Sequence, residues 1–333
     1  MSKILFIQTA FLGDVILSTS LIEKWKAFYP DDEVDVLIRK GNEGVFEHHT
    51  VIHELLIWDK QQNKTTNLIS LIGRIRRNKY DKIFNLQRFL STGLILLFSG
   101  ARETIGFTKN PLSLFFTKRV SHEINAVGSP HEVQRNHQLI QSYTDASYAL
   151  PKIYLPHKRT IVSKYTIQQA FITIAPASVW FTKQYPEEKW IHFLKKLPDS
   201  MDIVLLGSKS DSQLCERICN ALKFHRPHSK LLNLAGQLTI SESAELMQEA
   251  RMNYVNDSAP LHIASAVNAA VCAIFCSTVP EFGFGPLSEN AYLVQTKLKL
   301  SCRPCGLHGK KVCPEGHFKC AMEIEDQQLL QCL

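Results

Sequence analysis

Residues 171–183 read Phe-Ile-Thr-Ile-Ala-Pro-Ala-Ser-Val-Trp-Phe-Thr-Lys, an apolar run that leads directly into a small, polar turn. The pattern predicts a buried strand followed by a turn in which the hydroxyls of Ser178 and Thr182, together with the Lys183 ammonium, suit a phosphorylated ligand. The alternative interpretation of Lys183 is an ordinary surface lysine, since that is the commonest environment of this residue type.

A second segment repeats this design further along the chain. Residues 252–255 predict a strand, and Asn256-Asp257-Ser258-Ala259-Pro260-Leu261-His262 continues it as a polar turn and a helix start, with Pro260 in the first turn. The free N–H groups of such a helix start bind anions. Because Asp257 would repel phosphate, we expect it to face sugar hydroxyls or to cap the helix. His262 is either a ligand contact or a packed histidine.

Apolar strand candidates alternate with helical patterns along the whole chain. The strand candidates are residues 4–7, 34–38, 55–58, 83–86, 171–175, 203–206 and 271–275, and the helix candidates include 17–28, 65–77 and 241–250. Such alternation predicts parallel sheets joined by right-handed helical crossovers. We therefore predict an α/β fold with two doubly wound, Rossmann-like domains.

The domain boundary is predicted near residues 150–164, where Pro151 and Pro156 flank a short apolar piece. The predicted domains are residues 1–155 and 165–320, followed by a C-terminal helix over 321–333. Ligands of such sheets bind beyond the carboxyl ends of the strands, so we expect the polar turns to line a cleft between the domains.

Length and composition fit two globular domains and exclude several classes of protein. The 333 residues are 45% hydrophobic, and a net charge of +7 arises from 38 basic and 31 acidic residues that are interspersed. This modest excess argues against a nucleic-acid-binding protein and favours an anionic substrate or a membrane surface. The N-terminus lacks a signal-peptide pattern, and no apolar run reaches the roughly 18 residues of a membrane span. We expect a cytoplasmic protein with at most peripheral membrane contact.

Two further turns follow predicted strands. In Thr9-Ala10-Phe11-Leu12-Gly13-Asp14, Gly13 permits close backbone approach, and the dipole of the following helix would stabilise the Asp14 carboxylate. Asp14 is either a functional carboxylate facing the cleft or only a helix cap. The second turn, Gly207-Ser208-Lys209-Ser210-Asp211, would meet the ribose or base of a nucleotide, or would form a simple turn and cap.

The C-terminal region concentrates cysteine. Four cysteines have the spacing Cys-x2-Cys-x7-Cys-x6-Cys: Cys302, Cys305, Cys313 and Cys320. Two histidines, His308 and His317, lie between them. Four thiols in a reducing compartment are typical of a structural zinc or cluster site, but the second Cys-x-x-Cys pair of a zinc ribbon is absent. We favour a structural loop of reduced or occasionally paired cysteines over the metal site. The other five cysteines are expected to be ordinary core or surface thiols.

Basic and aromatic residues are interleaved in the N-terminal half. A loop containing Gly106-Phe107 and Phe115-Phe116 is surrounded by Arg102, Lys109, Lys118 and Arg119. This pattern favours binding of an anionic amphiphile at a membrane surface. A solvated loop of ordinary charge density is the competing interpretation.

Together these segments resemble the bacterial lipopolysaccharide heptosyltransferases of glycosyltransferase family 9, most closely the heptosyltransferase II type. The matching segments are Gly13-Asp14, residues 175–186, residues 256–262, Glu281-Phe282-Gly283-Phe284-Gly285-Pro286 and the cysteine block 302–320. Family members usually carry glycine where Ala177 and Ala259 stand, so here the backbone must reach its ligand without the freedom of glycine.

The resemblance implies the GT-B arrangement, in which two Rossmann-like domains face each other across a cleft. It implies an inverting transfer, without a catalytic metal or cofactor, of heptose from ADP-L-glycero-D-manno-heptose to the lipid-A-linked core oligosaccharide at the inner membrane. By carry-over, Asp14 is the general base and Lys183 binds the donor phosphates. By carry-over too, the donor-sugar and diphosphate loop is formed by Asp257, Ser258, Ala259, Pro260, Leu261 and His262. From the polar turns described above, the predicted donor-binding set also takes Ser178, Thr182 and Asp211. The predicted acceptor-binding set, taken from the first turn and the basic pattern, is Gly13, Arg102, Lys109, Lys118 and Arg119.

Alternative functions remain at this point. A related glycosyltransferase would use another nucleotide sugar. A non-catalytic protein that binds sugar nucleotides or lipid A would keep the phosphate turns without needing Asp14. A metal-dependent enzyme would use the C-terminal cysteines.

Overall fold

Two parallel sheets of six strands each form the framework of the protein. The computed structural model describes residues 1–124, 128–167 and 170–333, which divide into an N-terminal unit, Met1–Tyr154, and a C-terminal unit, Leu155–Leu333. Counted within each unit, the strands of both sheets lie in the order 3-2-1-4-5-6, the order of dinucleotide-binding Rossmann folds. The predicted α/β class with two Rossmann-like domains is confirmed.

The N-terminal unit contains the first sheet and four of the α-helices described here. Its strands are β1 (Lys3–Gln8), β2 (Glu33–Arg39), β3 (Glu54–Trp58), β4 (Lys82–Asn85), β5 (Glu103–Phe107) and β6 (Lys118–Val120). Its helices are α1 (Leu12–Phe28), α2 (Lys64–Asn78), α3 (Leu90–Phe98) and α4 (Glu132–His137). β1 pairs with both β2 and β4, so the strand order reverses between β1 and β4.

The C-terminal unit repeats the arrangement. Its strands are β7 (Phe171–Ala175), β8 (Asp202–Leu205), β9 (Leu231–Asn233), β10 (Met252–Asn256), β11 (Val271–Phe275) and β12 (Ala291–Gln295). Its helices are α5 (Ile161–Lys164), α6 (Glu187–Lys195), α7 (Ser212–Leu222), α8 (Ile240–Glu249), α9 (Ala259–Ala266), α10 (Lys319–Met322) and α11 (Asp326–Leu330). Here the order reverses between β7 and β10, which pair directly.

Burial on both faces of each sheet explains which strands the sequence predicts. Every residue of β7, β10 and β11 is buried, as parallel strands covered by helices on both sides require. Four strands, β5, β6, β9 and β12, are not predicted from the sequence. The strands β6, β9 and β12 carry exposed or half-buried residues, whereas β5 is largely buried but short, and Glu103 and Gly106 limit its apolar run.

Two helix predictions differ from the structure by more than one residue at an end. The first helix, predicted from residue 17, begins at Leu12, because the chain turns into α1 directly after β1. At the C-terminus, residues 321–333 hold the end of α10 and the separate helix α11. Ile324 and Leu329 of this segment are fully buried in the core of the C-terminal unit. Among the helices of the described residues, none has both the length and the hydropathy that a membrane span requires.

Candidate active site

The two phosphate-type turns leave the C-terminal sheet from adjacent strands. Residues 176–186 follow β7, residues 257–258 follow β10, and these two parallel strands are hydrogen-bonded neighbours. In an open α/β sheet, ligands bind at the carboxyl edge where the strand order reverses. The topology therefore brings together the two segments that the sequence analysis selects.

Lys183 and Asp257 form an ion pair between these turns. The Lys183 Nζ lies 2.7 Å from Asp257 Oδ2, and both side chains are largely buried. The same carboxylate oxygen accepts a hydrogen bond of 2.6 Å from the Thr278 hydroxyl, which follows β11. Asp257 thus holds the lysine at the switch point. From the sequence, Asp257 is expected only to face sugar hydroxyls or to cap the helix, so this role is not predicted.

Asn256, the last residue of β10, fastens the two turns to each other. Its side-chain amide donates to the Pro176 carbonyl at 2.8 Å, and its side-chain oxygen accepts from the Tyr185 N–H at 2.9 Å. Asn256 is fully buried. The amide therefore bonds both ends of the turn that carries Lys183, which restricts the positions this lysine can take.

Thr182 is hydrogen-bonded through its hydroxyl to other groups of the protein. Its side chain is 1% exposed, and its hydroxyl oxygen accepts from the Lys310 N–H at 2.8 Å and from the Ser277 hydroxyl at 2.9 Å. Direct contact with phosphate stays a prediction for this residue. Ser178 is half-buried, and its carbonyl accepts from the Gln184 amide at 2.6 Å.

Helix α9 begins at the carboxyl edge of the same sheet. Its N-cap is Ser258, whose backbone is extended and whose side chain makes no capping bond, and Ala259 and Pro260 begin the helix. The first N–H groups of a helix lack intrahelical partners and attract anions. Leu261 and His262 are buried in the first turns of α9.

Alanine fits the backbone at the two positions where the resembling family carries glycine. Non-glycine residues in the left-handed region occur in the described chain at Asn63, Lys79, Thr166, Asn268 and Phe318. Neither Ala177 nor Ala259 is among them, so these turns do not require the conformational freedom of glycine.

Asp211 is part of a capping box. Its carboxylate accepts from the Ser208 N–H at 2.8 Å and from the Ser208 hydroxyl at 2.6 Å. These bonds start the helical segment that leads into α7. Contact of Asp211 with a nucleotide stays a prediction.

In the N-terminal unit, the turn after β1 is held from several sides. Lys60 Nζ donates to the Thr9 hydroxyl at 2.8 Å, and the Asn42 amide donates to the Ala10 carbonyl at 3.2 Å. The N-cap of α1 is Phe11, which makes no side-chain cap. The half-buried Asp14 lies in the first turn of α1, next to Gly13 and two residues beyond the helix start. The N-cap position is therefore not occupied by Asp14.

A pocket at the carboxyl edge of this sheet joins apolar and basic side chains. It has a volume of about 370 Å³ and is lined by Lys60, Lys64, Phe89, Leu90, Ser91 and Leu94. Lys60 follows β3, and Phe89 lies between β4 and α3. Burial, together with the positive charges of Arg39 and Lys64, lowers the pKa of Lys60 to about 8. An anion bound here would relieve that repulsion.

This pocket is not predicted from the sequence. The rule that ligands bind beyond the carboxyl ends of strands would have selected one of its residues, Lys60. Lys60 lies two residues beyond Trp58, the last residue of β3, in the same relation to its strand as the turns that were selected. The pocket also needs α3, which the sequence analysis does not predict, because the residues of that helix are apolar without a clear period.

The four basic residues predicted to bind the acceptor lie at different positions along β5 and β6 and beside them. Arg102 precedes β5 and pairs with Asp81 at 3.0 Å, whereas Lys109 follows the carboxyl end of the same strand. Lys118 begins β6, 3.7 Å from Glu103, and the exposed Arg119 follows it. Contact of these residues with an acceptor stays a prediction.

The aromatic residues of the same loop divide between core and surface. Phe107 and Phe116 are buried, and Phe115 is exposed. Gly106 is covered by the Phe116 ring, since a Cβ at Gly106 would lie 2.7 Å from that ring. Two of the three aromatic residues in the predicted membrane-facing set therefore belong to the core.

All nine cysteines are free thiols. Cys215, Cys219, Cys272, Cys276 and Cys332 are buried in the core of the C-terminal unit. Burial, reinforced by the charge that the Cys305 thiolate would carry, raises the pKa of Cys320 to about 11. Within the described residues, no group of three or more His, Cys, Asp or Glu side chains is arranged to hold a metal ion. The prediction for the cysteine block stays a structural loop of reduced or occasionally paired cysteines, and metal analysis tests the alternative of a structural zinc.

Comparison with known proteins identifies similar sequences and folds. The family model for glycosyltransferase family 9 (heptosyltransferase) matches residues 68–317. Lipopolysaccharide heptosyltransferase 3 of Escherichia coli is 27% identical over 300 residues, which cover 84% of this chain and 85% of that protein. Lipooligosaccharide heptosyltransferase 2 of Haemophilus ducreyi is 24% identical over 318 residues and 88% of both chains.

A solved structure supports the fold. The E. coli ADP-heptose lipopolysaccharide heptosyltransferase II superposes with a TM-score of 0.81 at 20% identity, over 99% of this chain and 97% of that chain. The likeness shows that the chain has the fold of that protein, in agreement with the GT-B class expected from the sequence.

Proposed function

Since the chain belongs to glycosyltransferase family 9, the heptosyltransferase family, we propose that it transfers heptose from ADP-L-glycero-D-manno-heptose to the inner core of lipopolysaccharide. The names of the relatives in Escherichia coli and Haemophilus ducreyi support a lipopolysaccharide or lipooligosaccharide acceptor. ADP as the nucleotide is supported by the structural relative, an ADP-heptose lipopolysaccharide heptosyltransferase II.

The observation that carries the proposal is the placement of Lys183. It lies at the strand-order switch of the C-terminal sheet, paired with Asp257 at 2.7 Å and close to the start of α9. A diphosphate group would find an ammonium and the N–H groups of a helix start at this edge, and both stabilise developing negative charge. Because Asp257 already neutralises Lys183, the incoming diphosphate has to share or replace that carboxylate.

We assign the base to Asp14. In the proposed inverting step, the acceptor hydroxyl oxygen forms a bond to the anomeric carbon, and its proton moves to the Asp14 carboxylate. The bond from the anomeric carbon to the diphosphate oxygen breaks, and ADP leaves with the electron pair. Lys183 stabilises the charge on the leaving diphosphate. No metal takes part in this scheme.

We assign the acceptor to the N-terminal unit. The pocket of Lys60, Lys64 and Phe89 offers two cationic and several apolar side chains. Such a combination suits a negatively charged core sugar linked to lipid. The proposal places the enzyme on the cytoplasmic face of the inner membrane, where peripheral contact would deliver the lipid-linked substrate.

The test is a panel assay of the purified protein. ADP-linked and UDP-linked heptoses and hexoses are offered with truncated lipopolysaccharides, and the products are detected by mass. We expect a mass increase of one heptose with the ADP-linked donor, and equal activity with and without chelator. Transfer of another sugar would favour a related glycosyltransferase, binding without transfer would favour a non-catalytic protein, and loss of transfer in chelator would favour metal-dependent chemistry.

A further inference from the structure

The loop between β12 and α10 contacts the Lys183 turn through its backbone. We name residues 302–318 the cysteine loop. The Thr182 N–H donates to the Lys310 carbonyl at 3.1 Å, and the Lys310 N–H donates to the Thr182 hydroxyl at 2.8 Å. These two bonds, one to a backbone carbonyl and one to a side-chain hydroxyl, fix Lys310 of the loop against Thr182, the residue that precedes Lys183.

Gly309 permits this close approach. Its φ is +73°, and a Cβ at this position would lie 2.9 Å from Lys183 Cγ, 3.0 Å from Thr182 Oγ1 and 3.3 Å from Ser277 Oγ. The backbone of Gly309 therefore packs directly on the aliphatic stem of Lys183. Any other residue would push on that stem or on the hydroxyl pair beside it.

The cysteine loop is also hydrogen-bonded to the turn after β11, which contacts Asp257. The Cys305 N–H donates to the Ser277 carbonyl at 2.9 Å, and the Arg303 guanidinium donates to the Thr278 carbonyl at 2.8 Å. Thr278 is the residue whose hydroxyl holds Asp257. The loop thus contacts Thr182, which precedes Lys183, and Thr278, which binds Asp257.

We propose that Gly309 and the Lys310 backbone are positioning elements for donor recognition, which set where the Lys183 ammonium meets the diphosphate of a nucleotide sugar. The inference rests on the proposed function of Lys183 and adds a part of the chain to that site. The cysteine loop would then act on the donor through geometry, without touching the substrate.

The chain offers a matched control for this proposal. Gly306 also lies in the cysteine loop with a φ of +79°, but a Cβ there would have no neighbour within 4 Å. Gly309→Ala and Gly306→Ala therefore share the backbone strain of alanine in the left-handed region and differ in contact with the Lys183 turn. Gly309→Ala is expected to lower Tm by more than Gly306→Ala, because only the Cβ at position 309 meets neighbouring atoms.

The measurement is the Kd of ADP by calorimetry, together with the KM for the ADP-linked donor and for the acceptor. Gly309→Ala should raise the Kd of ADP and the donor KM about tenfold relative to Gly306→Ala, because displacement of Lys183 weakens a charge-assisted contact. The acceptor KM should stay unchanged. Equal ADP affinity of the two variants would overturn the inference.

A double-variant cycle separates positioning from general damage. If Gly309 acts through Lys183, Gly309→Ala should have almost no further effect on ADP affinity in a Lys183→Ala background. Additive effects would contradict the proposal. If Lys183→Ala alone leaves ADP affinity unchanged, the role of Lys183 under the proposed function fails instead, and the inference about Gly309 fails with it.

A second variant covers the case in which Gly309→Ala unfolds the protein. Thr182→Val removes the hydroxyl that accepts the Lys310 N–H and adds no bulk. We expect the same rise in the Kd of ADP, again absent in the Lys183→Ala background. An additive effect of Thr182→Val would count against the proposal.

Discussion

At the scale of single residues, the most direct test concerns Asp14. Asp14→Asn should reduce kcat by ~10²-fold or more, because the amide cannot accept the proton of the acceptor hydroxyl, while ADP affinity stays nearly intact. Steady-state kinetics and calorimetry measure the two quantities. Asp145→Asn, which removes a carboxylate that pairs with Lys24 at the surface of the same unit, is the control and should leave kcat unchanged. Wild-type turnover in Asp14→Asn would show that Asp14 is not the base and has only a structural role.

Lys60 predicts a pH dependence of acceptor binding. Its pKa is lowered to about 8, so the ammonium is present below that pH and is lost as the pH rises through it. The acceptor KM should therefore increase above pH 8. Lys60→Arg should flatten the profile, because a guanidinium stays charged throughout this range. An identical increase in both proteins would exclude Lys60 as its source.

At the scale of elements, Arg226 holds the end of α6 together with the connection that leads from α6 to β8. Its guanidinium donates to the carbonyls of Leu194, Leu197, Pro198 and Met201 at 2.6–3.0 Å, and its side chain is almost fully buried. Removal of the guanidinium leaves these carbonyls without their donor in an interior site, where each unsatisfied group is destabilising.

Arg226→Met should therefore lower Tm by roughly 6–12 °C, the shift that about 3 kcal/mol produces in a unit of this size. Arg217→Met is the comparison. It breaks an exposed ion pair with Glu187 at 2.8 Å, and such pairs contribute about 1 kcal/mol or less. Thermal unfolding of both variants gives the answer, and equal Tm shifts would contradict the assignment.

At the scale of the whole molecule, the basic excess predicts a dependence on ionic strength. A net charge of +7 attracts an anionic acceptor. Salt screens this attraction, because the Debye length is only about 8 Å at physiological ionic strength. The acceptor KM should rise as salt is increased, and Lys60→Met together with Lys64→Met should reduce that slope. Activity that does not change with salt would count against an electrostatic role of the pocket.

Much of the donor half of the candidate site was predictable from local sequence. Parallel strands buried on both faces must be continuously apolar, and the polar turns that follow β7 and β10 lie at their carboxyl ends for topological reasons. The turn of Lys183 and the turn of Asp257 could therefore be selected without coordinates. The family was accessible for the same reason, since its recognisable segments are these turns.

The partners of those residues depend on contacts between distant parts of the chain. The pair of Lys183 with Asp257, the contact of Gly309 with the lysine stem and the pocket around Lys60 join residues far apart in sequence. Sequence alone determined most of the strands, the turns and the class of fold, because burial and backbone conformation depend on the local pattern of residue types. Distance, charge pairing and the pKa of Lys60 were settled by folding, because they depend on which side chains the fold of each unit brings within a few ångströms of each other.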